Sequence, residues 1–381
     1  MNATVSDELF SYAVRIRRQL HEYPELGINL EKTVTLVREE LEKLGIAYTM
    51  RYGKSALVAD LGQGDKCIAL RADMDALPIQ EKTNLSYASK IPGQMHACGH
   101  DAHTAVLLAV AKWLKAEEDK LPCRVRLIFQ PSEEDPTNGA KLLTADGVCE
   151  GVDHILAAHC EPSIDAGTLG IHSGDYMAAC TPVTLRFFGR TAHAALPEAG
   201  IDAIAMGVEA YTKSKEILAR EAGENKYIWT VGHLQGGKVH NIVADECVLD
   251  ISFRYFDTDF ASRAEKAIRA LCDEIAKKHG GRAEVDWTPL VGPVHNDEKL
   301  TSAFEKAVTA AGIPTQEMPP RMTSEDFSYY LGKVPGMLFR FGTRNEKTGC
   351  TAPAHRNDFC IDEEGMKAAI SAFYTYVMQV K

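Results

Sequence analysis

Three apolar runs of strand length each break off at residues able to hold a cation. CIALRA (67–72) leads into Asp73-Met74-Asp75, VRLIF (125–129) into Gln130-Pro131-Ser132-Glu133-Glu134-Asp135, and ILAA (155–158) into His159. Short buried-type strands separated by helical stretches fold as an α/β sheet, and open α/β sheets bind ligands at the carboxyl ends of their strands. A fourth cluster, Met95-His96-Ala97-Cys98-Gly99-His100-Asp101-Ala102-His103, stands just before the apolar helical stretch 104–114. Soft and borderline donors crowded in this way suit Zn²⁺ or a similar ion. Each cluster alone has a plainer reading: Asp101 as a helix cap, Asp73 or Asp75 as a turn-former, His159 as a core histidine, 133–135 as a solvated acidic loop. Four together favour a metal site. Neighbouring Glu133 and Glu134 point different ways, which suits one carboxylate on a metal and the other on water.

At 381 residues the chain exceeds what one core ordinarily supports, so two domains are expected. Apolar residues at Leu9, Phe10, Ala13, Val14, Ile16 and Leu20 predict an opening helix capped by Ser6, and a second helix over 31–44 ends at Gly45. Strands are predicted near 56–61 and 66–71. From residue 177 the texture changes to strand 183–188, helix 201–220, strands 228–234 and 247–255, helix 260–279 and strand 283–287. That order is the split βαβ pattern of a ferredoxin-like domain, and it reads as an insertion. After Gly292-Pro293 the first texture resumes, with a helix over 298–311, a strand at 337–341 and a closing helix over 362–380. The expected fold is an α/β sandwich with a mixed central sheet, formed by 1–176 and 292–381 and interrupted by an α+β domain at 177–291.

Lys plus Arg at 42 against Asp plus Glu at 53 gives a net charge of −11, and no basic run interrupts it, which argues against a nucleic-acid partner. No stretch reaches ~18 apolar residues, and the start lacks a basic segment followed by an apolar one. The expectation is a cytoplasmic protein without a membrane partner. Ten cysteines without a CxxC pair fit a reducing compartment.

These motifs resemble those of the metallo-aminoacylase and carboxypeptidase family, in the branch of indole-acetyl-amino-acid hydrolases, hippurate hydrolases and other N-acyl-amino-acid amidohydrolases. The resemblance rests on RRQLHEYPELG (17–27), LRADMDALPIQE (70–81), MHACGHDAH (95–103), QPSEED (130–135), GRTAHAALPEAGIDAI (189–204), MTSEDFSYYL (322–331) and the His355 segment, in the family's order. It implies a catalytic domain interrupted by a lid that also serves for dimerisation, and two divalent ions per subunit, Zn²⁺ or Mn²⁺, with Co²⁺ and Ni²⁺ as further candidates. It also implies metal ligands Cys98, His100, Glu134, His159 and His355, the last in preference to His295 or His172. Glu133 becomes the general base and Asp75 a carboxylate that orients a ligand. In the lid, His193, Asn241 and Arg254 are implied to hold the substrate, His193 from its own or a neighbouring subunit. The chain departs from the branch at Asp135, where glycine is usual, at TAPAHRNDF (351–359) and at TAHAALPE (191–198).

The implied reaction is hydrolysis of the amide bond of an N-acyl amino acid, a small-molecule substrate, to a carboxylic acid and an amine. A dipeptidase or carboxypeptidase on unblocked peptides is the alternative within the same site. A non-catalytic binding protein on this fold is the alternative outside it, and retention of Glu133 and every expected ligand type speaks against it.

Overall fold

The computed structural model describes residues 4–380. In chain order its elements are α1 (Asp7–Glu22), α2 (Glu31–Lys43), β1 (Tyr48–Thr49), β2 (Leu57–Leu61), β3 (Cys67–Asp73), α3 (His100–Ala116), β4 (Arg124–Gln130), α4 (Gly139–Ala145), β5 (His154–Asp165), β6 (Leu169–Ile171), β7 (Gly174–Met177) and β8 (Ala179–Phe188). There follow α5 (Ala203–Ala222), β9 (Tyr227–Gly236), β10 (Glu246–Tyr255), α6 (Thr258–His279), β11 (Arg282–Trp287), β12 (Val294–Asn296), α7 (Glu298–Ala310), β13 (Thr315–Glu317), α8 (Ser328–Leu331), β14 (Gly336–Arg344) and α9 (Gly365–Gln379). The chain divides into two compact units, one running to Tyr176 and resuming over Val294–Pro320 and from Asp326, the other comprising Met177–Pro293 and Arg321–Glu325.

The larger unit is built on a mixed sheet whose described strands run β1-β2-β4-β3-β5-β14-β6-β13. Its centre is parallel: β3 pairs with β4 and β5, and β5 with β14. β1, β2 and β6 add antiparallel pairings. Central strands are covered on both faces, which is why β3 is buried along its whole length and reads as an unbroken apolar run. Ser6 caps α1, its side chain accepting from the Leu9 amide at 3.2 Å. Between Ala105 and Ala111 α3 is apolar on all sides because it is buried on all sides. Trp113 on α3 stacks on Tyr374 of α9 at 3.8 Å, joining two helices of that layer.

Two sequence expectations shift here. α3 begins at His100, four residues before its apolar pattern, so His100, Asp101 and His103 occupy its first turns and do not lie in a loop ahead of it. β5 continues to Asp165, which places His159 inside a strand, paired with Arg340 of β14, and not after a strand end. Polar side chains conceal both extensions, because their partners lie on other elements.

The smaller unit carries an antiparallel sheet in the order β11-β8-β10-β9 with α5 and α6, the ferredoxin-like arrangement. α5 and α6 are capped by Asp202 and Asp257 and pack on β8 and β10 around Phe187, Leu249, Phe253 and Phe260. Among the described residues no helix is long and apolar enough to cross a membrane.

Candidate metal centre

Three loops and one strand of the larger unit meet at the carboxyl end of β3. Asp75, just beyond that strand, is buried, and its two oxygens accept the backbone N–H groups of Glu133 (2.9 Å) and Glu134 (3.0 Å). Ser132 turns the chain after β4 with φ 60°, and its carbonyl accepts from the Gly139 amide at 2.8 Å, closing the acidic loop. Gly139 is required there, since a Cβ would stand 1.8 Å from the Pro131 carbonyl oxygen. Asp135 is not among the positive-φ residues, and its side chain accepts from the Thr137 amide, so this position does not need glycine's freedom. Gly99 starts α3 at φ 87°, and a Cβ on it would meet the Cys160 sulfur at 2.4 Å. Only glycine lets Cys98 and His100 reach the site from either side of that turn.

Cys98 Sγ lies 3.4 Å from His159 Nε2 and 3.4 Å from His355 Nε2, and His355 Nε2 lies 3.2 Å from Glu134 Oε1. His100 Nε2 is 3.9 Å from both Glu133 Oε2 and Glu134 Oε1. His355 holds a left-handed backbone at φ 65°, and its amide donates to the Ala97 carbonyl at 2.8 Å, which pins this side chain beside Cys98. Such a conformation costs a non-glycine residue ~1–3 kcal/mol and persists where its surroundings enforce it. His159 Nδ1 donates to the Cys160 carbonyl at 2.7 Å, so the lone pair of Nε2 faces Cys98. Two donor groups, Cys98–His100–His159 and Cys98–Glu134–His355, each have their ligand atoms within 4.8 Å of one another and share Cys98. The structure thus brings together Cys98, His100, Glu133, Glu134, His159, His355 and Asp75.

The residues fit a cation. Both ring nitrogens of His100 are buried without a hydrogen-bond partner, a costly state that a bound ion would relieve. Burial opposes a charge on His100, but Asp73, Asp75 and Glu134 outweigh it and push its pKa up to about 10, marking excess negative charge around the ring. Burial, together with Glu134, pushes the Cys98 thiol well above its usual range, so a cation is what would make it a thiolate. Burial also works against ionisation of Glu134, yet the hydrogen bond from His355 and the charge of His100 hold its carboxyl below the usual range.

Sequence reasoning missed a supporting network. His103 Nδ1 donates to Asp73 Oδ1 at 2.6 Å while Nε2 accepts the Cys160 amide at 2.8 Å, so both nitrogens are committed and this third histidine holds α3 against β5. Arg71, buried on β3, donates to Asp73 (2.7 Å), Gln130 (2.9 Å) and Asp326 (2.7 Å), and Asp326 also accepts from Gln130 and the Ala140 amide. Asp326 therefore ties the acidic loop to the sheet. Arg17 and His21 of α1 both donate to Asp101, linking HEYPELG to MHACGHDAH. His172 and His295 are engaged with the Met318 carbonyl and Asp175.

The remaining candidates belong to the smaller unit. His193 and Asn241 are exposed neighbours: the Ala194 amide donates to the Asn241 carbonyl at 3.0 Å, and His193 Nδ1 accepts from the Ala195 amide at 3.1 Å. Arg254 is half-buried and donates to the Met322 carbonyl at 3.1 Å and to Ser324 Oγ at 3.4 Å, not to a surface carboxylate.

The family model for peptidase family M20/M25/M40 matches residues 69–379. The chain belongs to this family. It is 36% identical to N-acetyl-L-cysteine deacetylase of Bacillus subtilis over 364 residues, covering 95% of this chain and 85% of that one. It is 35% identical to thermostable carboxypeptidase 1 of Saccharolobus solfataricus over 366 residues, covering 94% and 93%. The crystal structure of a dinuclear metal-binding peptidase of this M20 family from Bacillus subtilis superposes with a TM-score of 0.87 at 30% identity, covering 98% of both chains. M20 relatives on this fold have a catalytic domain and a lid domain.

Proposed function

We propose that this M20 chain hydrolyses the amide bond of N-acyl amino acids, using two divalent ions held by Cys98, His100, Glu134, His159 and His355. The observation that carries this reading is the gathering of five donor side chains, one of them buried His100 with no hydrogen-bond partner on its ring, with a further carboxylate, Glu133, at their edge. Two donor groups sharing Cys98 suit two neighbouring ions. The Cys98 sulfur favours Zn²⁺ over Mn²⁺, with Co²⁺ and Ni²⁺ as further occupants. When bound, the ions supply positive charge that acidifies water and polarises the amide carbonyl. Glu133 is the general base: it takes a proton from the attacking water and returns it to the leaving nitrogen. Asp75 holds the Glu133 and Glu134 amides and so keeps the two carboxylates in their separate roles. The smaller unit acts as a lid in which His193, Asn241 and Arg254 hold the substrate.

The deacetylase relative supports the acyl-amino-acid reading, and the carboxypeptidase relative keeps peptide hydrolysis as the second one. Comparing kcat/KM for N-acetyl, N-benzoyl and indole-acetyl amino acids with that for unblocked dipeptides separates them. The expected result is a preference of at least ~10-fold for an N-acyl substrate, equal to ~1.4 kcal/mol in transition-state binding. A preference of that size for dipeptides would overturn the assignment.

The lid also serves as the surface through which two copies pair. Ile204, Val208 and Tyr211 expose apolar surface on α5, Leu234 does so on β9, and β9 is an edge strand with no paired strand on its outer side among the described residues. A second copy covers both features at once, as an isologous pairing does. Sedimentation of the wild type should give twice the chain mass, and Val208→Glu should halve it. A wild type that sediments at the single-chain mass throughout the micromolar range would contradict this.

A further inference from the structure

A cavity of about 830 Å³ in the larger unit, lined by none of the proposed metal ligands, lies among Arg15, Arg18 and Glu22 of α1, Tyr87, Glu363 and Cys350. Cys350 is one of two thiols that touch. The Cys360 thiol donates to Cys350 Sγ at 2.7 Å, and among the described residues no other pair of cysteine sulfurs makes such a contact.

Cys350 is held from its backbone and Cys360 by its buried neighbours. Cys350 closes a two-way bridge with Asn345 beyond β14 (2.9 and 3.0 Å), and Cys360 sits between buried Phe359 and Ile361. The sulfurs need only a short further approach to reach a bonded separation of ~2.05 Å. The hydrogen bond from Cys360 pushes the Cys350 thiol down to about 7 against the effect of burial, and the Cys360 thiol is raised. One thiolate held by a neighbouring thiol is the arrangement that exchanges with disulfides. The eleven residues from 350 to 360 have His355, at φ 65°, at their centre.

We propose that Cys350 and Cys360 form a reversible disulfide, made by exchange with a low-molecular-weight disulfide entering the cavity, and that this bond locks the segment carrying His355. The Cys350 thiolate attacks one sulfur of the small disulfide and expels the first small thiolate, leaving a mixed disulfide on Cys350. Cys360 gives up its proton and attacks Cys350 Sγ, expelling the second. Two protein thiols are oxidised by two electrons, one small disulfide becomes two thiols, and the two protons end on them. Cross-linking removes conformations open to the free segment, so its amides exchange more slowly with solvent. Slower release of metal follows as well, and that last consequence alone rests on the reading of His355 as a ligand.

The test treats the folded, full-length protein with oxidised glutathione. Expected are loss of two hydrogens in mass, a Cys350–Cys360 cross-link on peptide mapping, and slowing of amide exchange across 351–359 by at least ~10-fold. Cys360→Ser should instead stop at one glutathione on Cys350. A different cysteine pair, stable glutathione adducts on wild type, or unchanged exchange in the cross-linked protein would each overturn the proposal. None of these readouts requires metal. A cross-linked, exchange-protected protein that binds no metal would sustain the disulfide and count only against the metal assignment.

Discussion

Glu133→Gln is expected to lower kcat by ~10² to 10⁴ while leaving metal content and KM near the wild-type values. That is the usual worth of a positioned general base, and the amide keeps the shape of the side chain. Glu134→Gln behaves differently because the adjacent residue faces His355 at 3.2 Å and Cys98, inside the donor cluster. A neutral amide is a poor ligand for a dication, so this variant should bind metal weakly and lose activity with it. Metal analysis and single-turnover kinetics on the two proteins side by side decide the matter. If Glu133→Gln loses metal and Glu134→Gln keeps it, the roles are exchanged. If both keep metal and activity, this pair is not the catalytic centre.

Asp326→Ala should cost ~3–5 kcal/mol of stability, because it leaves Arg71 short of a partner in the interior. Arg71 and Asp326 are each about 1% exposed at the side chain and meet at 2.7 Å. The lost carboxylate also releases Gln130 and the Ala140 amide, two anchors of the segment from β4 to α4 that contains Glu133 and Glu134. Denaturant unfolding followed by tryptophan fluorescence and circular dichroism measures the loss. A change below ~1 kcal/mol would show that water or a rearranged neighbour replaces the carboxylate, and that the network does not support the acidic loop.

The strands that frame the site were legible because central strands are covered on both faces, which leaves Ile68-Ala69-Leu70 and Leu127-Ile128-Phe129 as plain apolar runs. The ferredoxin-like order of the smaller unit was legible because one face of its sheet is exposed, so β8 and β10 alternate. The first turn of α3 was hidden, since Asp101 is buried against α1 and His103 against β3 and β5, with His100 buried beside them, and no local pattern reports such distant partners. Asp326 was missed for the same reason: its ligands Arg71 and Gln130 are 255 and 196 residues away in sequence. His355 lies in a segment without periodicity and was reached only through family resemblance. Its place beside Cys98 depends on the Ala97–His355 backbone hydrogen bond and the left-handed turn, neither of which has a signature in the residue types.

Exhaustive chelation followed by metal analysis, thermal melting and assay on an N-acetyl amino acid tests whether the Cys98, His100, Glu134, His159 and His355 cluster holds the ions on which amide hydrolysis depends. Expected are loss of two equivalents of divalent metal per chain, loss of activity, a lower Tm because ligand binding to the folded state is removed, and recovery of activity and Tm on adding Zn²⁺ or Mn²⁺. Full activity in protein shown to contain no metal would contradict that assignment.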